Sequence, residues 1–391
     1  MIPRTLANKL AESAIRNPVV ALTGPRQSGK TTLVKSVFPD YGYVSLEETQ
    51  HREMAAEDPK RFLAGKRRFI IDEIQRVPAL LSDMQTLVDE RDEEGQFILT
   101  GSNNLMLLES VSQTLAGRVA LLNLLPLSLS ELEAGGAVPA TLEEMLFAGF
   151  YPRVHSKRLE PPSWYGDYVS TYVERDARRI IQVADLDRFQ RFVKMCAARS
   201  GQILNLSSLG NDCGITHNTA KAWISVLTAC YVVFLLRPHH RNFNKRLVKS
   251  PKIYFLDTGL LCHLLGIERP SDLALHPNRG HIFETWALGE LLKARFNQGR
   301  RENLCFWRDH TGNEVDCIVE SGSRLTPVEF KAGETIAADY FKGIGFWSKL
   351  AGQPPERGFV VYAGDADQER SQGTAVGWRR FGREVASLLS A

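Results

Sequence analysis

Residues Gly24-Pro25-Arg26-Gln27-Ser28-Gly29-Lys30-Thr31 have the spacing G-x-x-x-x-G-K-[ST] and lie between an apolar run and a helical one. Phosphate binding needs this arrangement. Backbone N–H groups of such a loop, with the N-terminus of the next helix, converge on phosphate oxygens. Lys30 supplies a point charge for the β- and γ-phosphates, the Thr31 hydroxyl suits Mg2+, and Thr32 is counted with the loop. The expected ligand is ATP with Mg2+. Asp72-Glu73 end the apolar run Phe69-Ile70-Ile71. Asp72 is expected to hold Mg2+ through water, and Glu73 to polarise the attacking water as general base. The run Gln96-Phe97-Ile98-Leu99-Thr100-Gly101-Ser102-Asn103 ends in small polar groups. Ser102 or Asn103 is the candidate for positioning that water, and the sequence does not choose between them.

Two further constellations could do chemistry. In residues 314–331, Ser321-Gly322-Ser323 reads as a hairpin turn. A turn centred between Gly322 and Ser323 puts Asp316 directly opposite Glu329, with Lys331 on the Glu329 face. Opposed carboxylates repel, and a divalent cation between them relieves that. Mg2+ takes one or two carboxylates plus waters and phosphate oxygens, leaving Lys331 to orient or activate a water. The second constellation is basic: Arg237, Arg241, Lys245, Arg246, Lys249 and Lys252, with His239, His240 and Phe243 between them and no acid. Such a concentration of cations suits sequence-independent phosphate contacts to DNA. The same residues also suit a solvated hairpin packed on neighbouring protomers.

These side chains need elements to hold them. Apolar runs at 19–23, 43–46, 69–71, 97–99 and 119–122 each precede a turn or helical stretch, a rhythm that predicts a parallel sheet with helices on both faces. Pro161-Pro162 marks an exit from this first domain, expected over 1–163. Residues 164–270 read as helices, a turn at Gly214-Ile215-Thr216, a helix over 218–229 and then a strand pair, which is winged-helix order. On the 218–229 helix Lys221 is the only charge, so base-specific reading is not expected. Residues 271–391 read as a helix over 282–295, three strands, a helix and a last strand at 359–362.

The loop, Ile71-Asp72-Glu73-Ile74-Gln75, Leu99-Thr100-Gly101-Ser102 and Leu115-Ala116-Gly117-Arg118 together resemble a prokaryotic AAA+-type ATPase family whose members carry a C-terminal domain of unknown function. The resemblance extends to Ile2-Pro3-Arg4 and Tyr172-Val173-Glu174-Arg175-Asp176. It implies a five-stranded core and assembly through neighbouring ATPase modules, plausibly a hexamer. It also implies that Arg118 lies near nucleotide, as an arginine finger donated to a neighbour's site, with Arg175 the runner-up. Asp316 and Glu329-Phe330-Lys331, with Glu284 on the preceding helix, resemble the PD-(D/E)XK nuclease core, whether still cutting or retained as a fold alone.

Composition sets the limits. At 391 residues, two or three domains are expected. A net charge of +3 does not by itself imply nucleic acid. The six cysteines form no C-x-x-C pair, so a zinc cluster is not expected and reduced cytosolic thiols are. No signal peptide is expected, and no apolar run reaches about 20 residues. A cytoplasmic protein without membrane contact is the expectation. Two functions fit: ATP-driven work on DNA, and a nucleotide-controlled switch that binds protein partners.

Overall fold

The computed structural model describes residues 2–102, 111, 113–175, 177, 185–239, 248–355 and 358–388. The five apolar runs of the first third become β1 (Val19–Thr23), β2 (Gly42–Ser45), β3 (Phe69–Asp72), β4 (Phe97–Gly101) and β5 (Val119–Asn123). They form an all-parallel sheet in the order β2-β3-β4-β1-β5. Parallel strands are covered on both faces, and period-two alternation assigns the residues. Val20, Leu22, Ile70 and Ile98 pack against helices Leu6–Arg16 and Lys30–Val37. Val19, Ala21, Ile71, Phe97 and Leu99 pack against the helix Leu80–Arg91.

Beyond β5 the chain enters a second core that extends from Leu125 to Val385. The apolar cores therefore divide nearer residue 125 than 163, because Leu127, Leu129 and Leu132 bury against the C-terminal half. Gly382 of the last helix, Trp378–Leu388, lies so close to Leu129 that an added Cβ would come within 2.4 Å of it.

Helices Leu206–Cys213 and His217–Ala229 are capped by Asn205 and Thr216 side chains and joined through Gly214, whose φ of 65° ends the first helix. An antiparallel pair follows, β6 (Val233–Pro238) with β7 (Lys252–Phe255). The helix–turn–helix–hairpin order is thus as expected, but the hairpin is not confined to a middle domain. Arg237 and Pro238 pair in parallel with Cys305 and Phe306 of β8 (Leu304–Arg308). With β9 (Glu314–Ser321), β10 (Arg324–Lys331), β11 (Phe359–Tyr362), β12 (Gln368–Arg370) and β13 (Gly373–Gly377), an eight-stranded sheet forms in the order β12-β13-β11-β10-β9-β8-β6-β7. The division at residue 270 cuts across this sheet. β12, β13 and the last helix lie beyond the elements the sequence pattern predicts: β12 is an exposed polar edge with no apolar run to announce it.

The helix expected over 282–295 spans Arg279–Asn297, and every residue from Ile282 to Arg295 is buried. It therefore carries Glu284, Glu290, Lys293 and Arg295 into the interior, where each requires a partner. No helix among the described residues is long and apolar enough to cross a membrane.

Candidate functional site

The phosphate loop leaves the C-terminal end of β1. Gly24 fits there because an added Cβ would stand 2.1 Å from the Leu124 carbonyl oxygen, and Gly29, at φ 91°, starts the helix Lys30–Val37. Lys30 is buried and its Nζ donates to the Gly24 and Pro25 carbonyls at 2.9 and 2.8 Å, at the mouth of the loop. Thr31 Oγ1 donates to Asp72 Oδ2 at 2.8 Å, so the two expected Mg2+ contacts are adjacent. Their hydroxyl and carboxylate oxygens suit a hard cation. When bound, Mg2+ would neutralise charge on the phosphates, with Thr31 and Asp72 holding it.

Asp72 is fixed by two donors that the sequence did not single out. Tyr43 OH donates to Oδ2 at 2.9 Å, and Thr100 Oγ1 donates to Oδ1. Burial and the neighbouring Asp72 charge push the Tyr43 phenol up, keeping it a donor. Glu73 has φ 59° and ψ 44°, a left-handed conformation that costs a non-glycine residue about 1–3 kcal/mol. Its Oε2 accepts from Ser102 Oγ at 3.1 Å and from Gln75 Nε2 at 2.5 Å. Of the two residues left open for water positioning, Ser102 touches Glu73; Asn103 lies outside the described residues.

A cavity of about 1110 Å3 opens beside the loop, with Lys30, Thr31, Asp72 and Glu73 on one side and Ile2, Pro3 and Leu127 on another. Arg4 also lines it, donating to the Ser28 carbonyl at 2.6 Å and the Leu125 carbonyl at 2.5 Å while pairing with Glu131 at 3.1 Å. Tyr172 lines the cavity from a π-helical turn, Val169–Val173. Its hydroxyl accepts from Gln27 Nε2 at 2.8 Å, and the Arg26 and Arg175 guanidiniums lie 5.6 and 5.7 Å from its ring centre. Arg175 also lines this cavity.

Arg118 does not. It precedes β5, where its carbonyl accepts from Val19 N at 3.2 Å, at the opposite end of the sheet from the phosphate loop. Its guanidinium pairs with Asp89. The expectation that it lies near nucleotide therefore fails within one chain, because parallel β1 and β5 carry the loop and Arg118 to opposite ends.

A second cavity, about 680 Å3, gathers all four residues expected of the C-terminal site: Glu284, Asp316, Glu329 and Lys331. The hairpin register holds as expected. Its last paired position is Val328 with Cys317, and the next residues along are Glu329 and Asp316. Lys331 Nζ lies 2.6 Å from Glu329 Oε2 and 3.7 Å from Asp316 Oδ2. Burial, with Asp316 alongside, holds Glu329 well above the usual carboxylate range. Asp316 stays below it despite burial, because Lys331 and Lys252 face it.

Lys252 was expected among the basic hairpin cations. Its side chain is instead buried in this cavity, 2.5 Å from Glu314 Oε1 and 3.3 Å from Glu284 Oε1, because period-two alternation turns it inward on β7. Tyr254, two residues on, donates to Glu284 Oε1 at 2.5 Å. His239 is likewise buried, whereas Arg237 and Lys249 are exposed. Arg241, Lys245 and Arg246, with His240 and Phe243, lie outside the described residues.

A parallel sheet in this order, carrying a phosphate loop and a strand-end acid bonded to its threonine, defines an AAA-type P-loop ATPase domain. A family model agrees. The AAA domain family matches residues 16–133. Two domains of unknown function, DUF8612 and DUF4143, match residues 139–271 and 279–381. Uncharacterized proteins of Mycobacterium tuberculosis and Mycobacterium bovis are each 32% identical over 336 residues, covering 85% of this chain and 74% of theirs. The chain belongs to the same family as these mycobacterial proteins. Among solved structures, a Walker-type ATPase of Pyrococcus abyssi superposes with a TM-score of 0.46 at 14% identity, over 68% of this chain and 96% of its own. A signal-transduction ATPase with a tetratricopeptide-repeat sensor, from Pyrococcus horikoshii, gives 0.22 at 10% identity, over 76% and 47%.

Proposed function

We propose that this protein is an oligomeric, plausibly hexameric, ATPase that works on DNA by translocation, remodelling or branch processing, through a winged-helix unit fused to a PD-(D/E)XK nuclease-like domain. One observation carries the reading. β7, on the far side of the basic connection, delivers Lys252 into the cavity that holds Glu284, Asp316, Glu329 and Lys331. On this reading, DNA held by the hairpin cations would lie toward the acidic pocket. Arg237 and Lys249 flank the connection and are exposed. Replacing Arg241, Lys245 and Arg246 with Ala is expected to weaken DNA binding alike across sequences. The salt dependence should flatten by about one slope unit for each phosphate that is no longer neutralised. Unchanged affinity and slope would assign the hairpin to protein contacts.

The second reading is a nucleotide-controlled switch that docks protein partners through an inactive nuclease-like domain. It is favoured by the pocket's internal neutralisation. Lys331 stands between Glu329 and Asp316, and Lys252 between Glu284 and Glu314. A divalent cation between Asp316 and Glu329 would have to move the Lys331 ammonium aside. The Asp316→Asn variant separates the readings. A cutting enzyme should lose Mg2+- or Mn2+-dependent thermal stabilisation and DNA nicking together, with ATP hydrolysis near normal. An inactive pocket should show no metal-dependent stabilisation to lose, should become no more stable in metal-free buffer because Asp316 is the carboxylate that Lys331 and Lys252 face, and should nick no DNA before or after the change.

A further inference from the structure

We infer that His239, Cys305 and Glu320 form a binding site for a thiophilic divalent cation of the zinc class, separate from both cavities. The residues come from three adjoining strands. His239 follows β6 and its backbone N–H donates to the Phe306 carbonyl at 2.7 Å. Cys305 lies in β8 opposite Ile318 of β9, and Glu320, two residues on, shares the Ile318 face. His239 Nε2 and Cys305 Sγ each lie 3.5 Å from Glu320 Oε1, and the three ligand atoms fall within 4.8 Å of one another. Ligand atoms around tetrahedral zinc stand roughly 3.4–3.6 Å apart, from bonds of about 2.3 Å to sulfur and about 2.0–2.2 Å to nitrogen and oxygen.

Charge and access fit as well. On binding, the Cys305 thiol proton is released to solvent. Thiolate and carboxylate together then cancel a dipositive ion, so the buried site is neutral, with His239 contributing the Nε2 lone pair. His239 and Cys305 are buried, while the Glu320 side chain is 41% exposed, giving the ion an approach and a fourth position open to water. A sulfur, an imidazole and one carboxylate select zinc or cobalt over Mg2+. The ion would fasten the end of β6 to β8 and β9, at the root of the basic connection 240–247. No sequence spacing announced this. The absence of C-x-x-C excludes only clusters whose ligands are neighbours in the chain, and here the sheet assembles them.

Cobalt titration of the reduced, chelator-treated full-length protein tests the site. One equivalent should bind with a near-ultraviolet thiolate-to-cobalt charge-transfer band, which zinc displaces. Glu320→Gln, at a half-exposed position compatible with folding, should weaken cobalt binding at least tenfold, by about the loss seen when even outer-shell partners are removed or more. Cys305→Ser should abolish the band while circular dichroism stays native. Absence of the band in folded wild-type protein would overturn the proposal, leaving a thiol hydrogen-bonded to Glu320 with the imidazole beside it. So would a band that survives Cys305→Ser, or cobalt affinity unchanged in Glu320→Gln.

Discussion

Protomers carrying Arg118→Ala, mixed with protomers carrying Lys30→Ala, are expected to regain ATP hydrolysis that neither shows alone. The expectation follows from where the sheet puts Arg118. It abuts Val19 at the start of β1, whereas the phosphate loop begins after Thr23. Five strand residues separate them by roughly 16 Å, beyond any reach to its own γ-phosphate, so a catalytic role requires a neighbouring protomer. Its pairing with Asp89 is exposed to solvent, which screens it and leaves the guanidinium available to a better acceptor. In a mixed assembly, the intact loop of an Arg118→Ala protomer can meet the intact Arg118 of a Lys30→Ala protomer. Arg118→Ala alone should lower turnover by about a thousandfold or more. Wild-type turnover by that variant would pass the role to Arg175, which lines its own nucleotide cavity.

Glu73→Gln should bind ATP as the wild type does and lose turnover by about a hundred- to ten-thousandfold, the range for removing a positioned general base. The substitution keeps shape and a hydrogen-bonding partner for Ser102 and Gln75, so only proton acceptance is lost. Lys30→Ala should fail differently. It removes the cation from the mouth of the loop, so nucleotide affinity falls before turnover can be measured. Nucleotide binding by fluorescence, set beside steady-state phosphate release, distinguishes the two defects. Turnover by Glu73→Gln at the wild-type rate would exclude Glu73 as the base.

What could be read from the sequence was whatever is contiguous or strictly periodic. The phosphate loop and Asp72-Glu73 are contiguous. The opposition of Asp316 and Glu329 was legible because one turn, with Gly322 at φ 63°, fixes the register of a period-two hairpin. Residues that meet across the fold left no such trace. Tyr43 and Thr100 converge on Asp72 from β2 and β4, and Tyr172 reaches Gln27 from 145 residues away. The parallel contact of β6 with β8 also has no local signature, since a crossover of that length can end beside many strands. Without that contact Lys252 reads as a surface cation. Inward or outward on β7 is a one-residue distinction, and only the neighbouring sheet decides it.

ATP hydrolysis at the phosphate loop, on the function proposed above, serves DNA bound by the basic hairpin. The most direct measurement is the steady-state ATPase rate of the full-length protein with Mg2+, alone and with single-stranded, duplex and branched DNA, at low and raised salt. The predicted result is hydrolysis that at least one DNA accelerates, that salt returns to the basal rate, and that Arg241, Lys245 and Arg246 are all needed to raise. A rate indifferent to every DNA at both salt concentrations, yet raised by a protein partner, would contradict the claim.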